Sequence, residues 1–214
     1  MRKLILAGLL AATLPAVAHA EAHPSKSLLT MTPDRVRAAT TVRDDPLEHH
    51  ADFSTRKAHR QGWALFSRDA HDNHLRAIVD KRTGHTRYEV RTEVRYYGAQ
   101  RDYRSAHYAT AAGLQKADLT LTRHGEERCA TNDFNFNCAL TKTIAFELDE
   151  GVVRAIAASR DPSWAFKLKD DTGSDIQSAI VPAEAAGLLQ AVDAYRSERT
   201  PVMLSTAEAA RNAG

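Results

Sequence analysis

The sequence predicts an α+β fold: an antiparallel, curved β-sheet, a meander bent toward a barrel, with one C-terminal helix packed on it. Three observations carry the prediction. Arg87, Glu89, Arg91, Glu93 and Arg95 alternate with Tyr88, Val90, Thr92, Val94 and Tyr96, and period two marks a strand with one buried face. Short turn-forming stretches separate this run from its neighbours, so successive strands return antiparallel. Only beyond residue 182 does the period become helical, with Ala185, Leu188, Leu189, Val192 and Tyr195 on one stripe.

Residues 1–20 read MRKLILAGLLAATLPAVAHA. A basic start, a short apolar run and a small-residue Ala-His-Ala end make a secretory signal peptide, and place the protein in the periplasm or outside the cell. The apolar run is shorter than the roughly 20 residues a membrane helix needs. No later run is as apolar, so no membrane span is expected after signal cleavage. Residues 21–58 hold Pro24, Pro33 and Pro46 with few large apolar side chains, and read as an irregular N-terminal arm in which Leu47 and Phe53 need cover. Residues 59–198 form a single β-rich domain, and residues 199–214 a frayed tail.

Within the domain, Trp63, Leu65 and Phe66 suggest a first strand, residues 69–74 a turn, and residues 75–79 a second strand. Residues 80–84 form a tight turn ending on a glycine suited to positive φ. After the long alternating strand, residues 117–122 place Leu119 and Leu121 inward, and His124-Gly125 marks a bulge or strand end. Cys138, Leu140, Ile144, Phe146 and Leu148 then share one face, with Lys142 the exception, snorkelling at an edge. Residues 149–151 turn the chain into 152–156, read as a further strand. Trp164, Phe166 and Leu168, a turn at 170–173, and Ile176 with Ile180 complete a hairpin. Pro182 and Glu184 suit the first turn of the final helix.

Eight residues separate the two cysteines within CATNDFNFNC. In an exported chain they are expected to pair, Cys129 with Cys138, stapling a hairpin. A ring of this size contributes roughly 2–3 kcal/mol. No CxxC exists for redox chemistry, and a zinc site would want four ligands. Phe134 and Phe136 continue the alternation of Cys138 and Leu140, which favours core over a recognition edge.

No GxSxG, HExxH, P-loop or GxGxxG pattern is present, so no catalytic residue and no cofactor is assigned. The chain has 29 basic and 27 acidic residues. Removal of the signal takes Arg2 and Lys3 and no acid, which leaves the two signs equal. A neutral protein has no overall electrostatic reason to bind nucleic acid. Histidine is the plentiful ligand type, with ten in the chain. His71 and His74 flank two polar residues, and His49 adjoins His50. Cleavage after Ala20 would make His23 third in the mature chain, and an amine, two amides and an imidazole suit Cu(II) or Ni(II). The candidate metal ligands are therefore His23, His71 and His74.

LRAIVDKRTGHTRYEV, an aromatic pair at Tyr96-Tyr97, CATNDFNFNCALTKTIAFEL, WAFKLKDDTG and PAEAAGLLQAVDAY follow in that order. Together they resemble a group of uncharacterised exported bacterial proteins, over about residues 60–196. The resemblance implies export and the paired cysteines, and carries no catalytic residue. The resulting expectation is an exported, non-catalytic periplasmic module that binds a protein partner or a small ligand. The alternatives are a histidine-based Cu, Ni or Zn handling protein and a hydrolase without a recognisable motif.

Overall fold

The strand periodicity is realised in a computed structural model that describes residues 26–57, 70–125, 128–130 and 137–212. The described elements run α1 (Lys26–Leu29), α2 (Pro33–Ala39), β1 (Thr41–Arg43), β2 (His50–Ser54), β3 (Ala70–Asp80), β4 (Thr86–Tyr97), β5 (Tyr103–Thr110) and β6 (Gly113–His124). They continue with β7 (Arg128–Ala130), β8 (Asn137–Leu148), α3 (Glu150–Ala158), β9 (Trp164–Asp170), β10 (Ile176–Ile180) and α4 (Pro182–Asn212). The ten strands form one sheet in the order β1-β2-β3-β4-β8-β6-β5-β9-β10, with β7 also pairing β8. Every described pairing is antiparallel. The fold is α+β with a curved sheet, and α4 packs on it.

β4 has the register its alternation predicts. Tyr88, Val90, Thr92, Val94 and Tyr96 are all buried on the inner face, and each stands opposite an inner-face residue of β8: Val90 opposite Phe146, Thr92 opposite Ile144. β8 likewise buries Ile144, Phe146 and Leu148. Lys142 departs from the expectation of an edge position. It lies on the inner face, 3% exposed, opposite Val94, and its Nζ donates to the Arg101 carbonyl. A backbone acceptor at the end of an apolar stem makes this burial tolerable. Ile176, Ile180, Val192 and the aromatic pair Phe146–Phe166, 5.3 Å between ring centroids, extend the same core.

Several expectations are corrected. Residues 21–58, read as an irregular arm, contain α1, α2, β1 and β2. Thr32 caps α2 by accepting from the Arg35 N–H at 3.4 Å, and Pro33 sits at its start. In β2, Ala51 and Phe53 are core residues. Residues 70–74, read as part of a turn, belong to β3. Residues 152–156, read as a strand, lie in α3, where Val153 and Ile156 are buried at helical spacing. The last helix does not stop at 198 but runs to Asn212. The expected strand at Trp63, the tip residues Phe134 and Phe136, and the signal segment 1–20 lie outside the described residues.

The 80–84 turn is as expected: Gly84 has φ of 72°, where only glycine avoids a steric penalty. β6 ends at His124, and the Gly125 N–H donates to the Thr141 carbonyl at 2.8 Å. β7 then resumes along the same edge of β8, so β6 and β7 together act as one interrupted strand. This brings Cys129 opposite Cys138 in register, and no described cysteine carries a free thiol.

Candidate functional site

The proposed metal ligands do not converge. His23 lies outside the described residues. His71 and His74 are three apart on β3, where successive side chains alternate between faces. His71 pairs in register with inner-facing Val94, and His74 with outer-facing Arg91. The two rings therefore leave the sheet on opposite sides, and no shared chelate forms between them. Among the described residues no group of three His, Cys, Asp or Glu is placed to hold a metal ion. Burial pushes the His74 imidazole down to about 4, with Glu184 opposing and Lys57 and Arg91 assisting.

A cleft opens where α2 meets α4. α2 places Val36 directly on Gly187 of α4, and a Cβ at 187 would come within 2.5 Å of the Val36 Cβ and 2.6 Å of the Pro33 carbonyl oxygen. Only glycine permits this approach. Beyond the crossing, the helices and the end of β2 enclose about 400 Å³, within the range of small-molecule sites.

Met31, Val36 and Ala39 form the apolar side of the cleft, and Thr30 and Thr55 add hydroxyls. The floor is fixed by Glu184, which is 2% exposed. Its Oε1 accepts from the Thr55 hydroxyl at 2.6 Å and from the Leu75 N–H at 3.1 Å. That contact locks the first turn of α4 to β3 and to the residue that follows β2. At the mouth stand Arg35, Arg56 and Lys57. Lys57 is paired with Glu93 at 2.5 Å. Arg35 and Arg56 are exposed, and among the described residues neither guanidinium meets a carboxylate. The cleft thus combines apolar walls with two cations that meet no described carboxylate.

Sequence reasoning missed this site, because its residues come from segments read as an irregular arm. The signal was present in Thr32-Pro33-Asp34, a cap, a helix-starting proline and an acid in the first turn.

For hydrolytic chemistry the nearest arrangement is on β5, where the Ser105 hydroxyl lies 3.2 Å from His107 Nε2. No described carboxylate is bonded to His107 to orient it, and none of the described cavities is lined by this pair. Among the described residues this pair therefore lacks the third, orienting group of a triad. No described helix is long and apolar enough to cross a membrane. No protein-family model, curated protein or solved structure matches this chain.

Proposed function

We propose that the chain is an exported, non-catalytic binding module whose ligand is a small amphipathic anion seated in the α2–α4 cleft. The observation that carries this reading is the placing of Arg35 and Arg56, which meet no described carboxylate, over walls of Met31, Val36 and Ala39. A carboxylate or phosphate head would take charge-assisted hydrogen bonds from the two guanidiniums, while a short apolar tail would cover the methyl-rich wall. Export and a Cys129–Cys138 disulfide belong to the same proposal. The signal-like residues 1–20 and the direct register of the two cysteines support them.

The test is a titration of the purified protein with decanoate and, separately, with decanol. Decanoate should bind saturably and about tenfold or more tightly than the uncharged alcohol, the scale of a charge-assisted contact. Arg35→Glu combined with Arg56→Glu should abolish decanoate binding without lowering the melting temperature, since both side chains are exposed. Equal binding of acid and alcohol, or no binding of either, would remove the cleft as an anion site.

A further inference from the structure

The outer face of the sheet carries a second concavity, unrelated to the cleft. It encloses about 540 Å³ over the strands β2, β3 and β4, with Thr120 and Leu121 of β6 at one side. Arg76, Arg87 and Arg91 line it, and His49, His50 and His85 gather from two separate chain segments at one end. The register explains the convergence. His50 stands opposite Asp80 across β2 and β3, and the 80–84 turn brings His85 back beside that pair: the Asp80 N–H donates to the His85 carbonyl at 2.8 Å.

The groove's acids are already committed. Glu89 is buried, its side chain 7% exposed, and its Oε2 accepts from Arg91 Nε at 3.1 Å and Arg76 Nη1 at 3.4 Å. Asp80 turns its Oδ1 into the tight turn, accepting from the Thr83 N–H at 2.7 Å, the Thr83 hydroxyl at 2.9 Å and the Arg82 N–H at 3.0 Å. Those bonds, Thr83's foremost, hold its carboxyl below the usual range.

The arginines are not equally committed. Arg76 spends Nη1 on Glu89 and Nη2 on Asp52, the latter at 2.5 Å. Arg87 spends Nη1 on Glu147 at 3.2 Å. Arg91 gives only its Nε to a described partner. Glu89 therefore grips one edge of the Arg91 guanidinium, and both terminal nitrogens, each with two N–H groups, line the groove without a described partner. A guanidinium fixed at Nε and open at both ends is the fork that pairs with an oxyanion bidentately.

We propose that this groove binds a multiply charged oxyanion of the phosphate or sulfate class, with Arg91 as its anchoring fork and Arg76 and Arg87 flanking it. His49, His50 and His85 stand at the groove's end as further N–H donors. Facing them are Asp52 on β2, 3.9 Å from the His50 Nε2, Arg76 and Asp80 on β3, and Arg87, Glu89 and Arg91 on β4. Glu147 of β8 is held on Arg87, and the β6 residues that line the groove are uncharged.

Inorganic pyrophosphate at low ionic strength and neutral pH is the probe, titrated into the purified protein. Saturable binding is expected. Arg91→Gln should weaken it about tenfold or more, and Arg91→Lys should recover only part, because an ammonium cannot form the fork. Replacing His49, His50 and His85 together by glutamine should weaken binding less than Arg91→Gln does, because the fork remains. Thermal melts confirm that each variant folds, and Arg91→Lys, which keeps a charge beside Glu89, serves if Arg91→Gln does not. The Arg35→Glu, Arg56→Glu variant should bind pyrophosphate as the parent does. Absence of binding, indifference to both Arg91 changes, or loss in the Arg35, Arg56 variant would overturn the proposal.

Discussion

His74 leaves the outer face of β3, yet its Nδ1 is buried and has no hydrogen-bond partner among the described residues. Burial is the larger influence, and it holds the ring neutral by pushing its pKa to about 4 from an ordinary 6.5. Glu184 and Glu93 pull the other way, and Lys57 and Arg91 reinforce burial. The unfolded chain takes up a proton near 6.5 and the folded chain does not, so the unfolded state binds more protons between the two values. Stability from this group is complete above about pH 6.5 and is lost as pH falls toward 4. The loss amounts to at most roughly 3 kcal/mol. His74→Phe should therefore flatten the decline in unfolding free energy between those limits relative to wild type. Urea melts across the interval measure it. Parallel pH profiles for the two proteins would mean that His74 is protonated in the fold.

At the scale of elements, β4 shows both how far alternation reaches and where it stops. Val90→Asp and Val94→Asp each place a charge on the fully buried inner face and should cost about 3 kcal/mol or more. Glu93→Lys changes an exposed pair with Lys57 and should cost at most about 1 kcal/mol. Sequence reading treats Glu89 and Glu93 alike, since both occupy the charged face. The fold separates them. Glu89 lies beneath Arg76 and Arg91, so Glu89→Lys puts a third cation into that cluster and should destabilise far more than Glu93→Lys. Thermal melts of the four variants decide the order. A Glu89→Lys protein as stable as Glu93→Lys would mean that the buried carboxylate contributes nothing.

That contrast shows what was legible. Period two gave β4, β8 and β9 because their inner faces are mostly apolar, and the stripe from Ala185 to Tyr195 gave α4. α3 was misread because Val152, Val153 and Ile156 are β-branched and few. Their helical spacing, with Asp149 before the first turn and Glu150 within it, was the competing signal, and packing against α4 decides for the helix. β3 was cut short because Asp72, Asn73 and His74 have turn-forming side chains. Asn73 tolerates the strand because tertiary partners satisfy it, and no local pattern records those partners. The cleft was illegible for the same reason. Its walls come from α2, the end of β2 and α4, which meet only through the fold.

Across the whole molecule, Asn73 joins parts of the sheet that no ladder joins. β3 lies near one end of the strand order and β10 forms the other. The completely buried Asn73 side chain bridges them: Nδ2 donates to the Ala179 carbonyl at 2.9 Å, and Oδ1 accepts from the Ser178 hydroxyl at 2.5 Å. Two residues further along β3, the Leu75 N–H meets Glu184 of α4. The strand that ends the sheet and the helix that follows it are thus tied to the same stretch of β3, and the curled sheet is held closed by side chains where a full barrel would use backbone pairs. Asn73→Ala removes both bonds and leaves a buried carbonyl and hydroxyl without their partner, which should cost about 2–4 kcal/mol. Ser178→Ala removes one bond and should cost about 1 kcal/mol. Asn73→Asp keeps the acceptor for Ser178 but sets a carboxylate against the Ala179 carbonyl, and should be the most damaging of the three. If Asn73 holds the curl shut, amide exchange in the Asn73→Ala protein should rise first at residues 176–180, where β10 would peel from β3, while β4 and β8 stay protected. Exchange that rises evenly over all strands would assign Asn73 to general core stability and leave closure to α4.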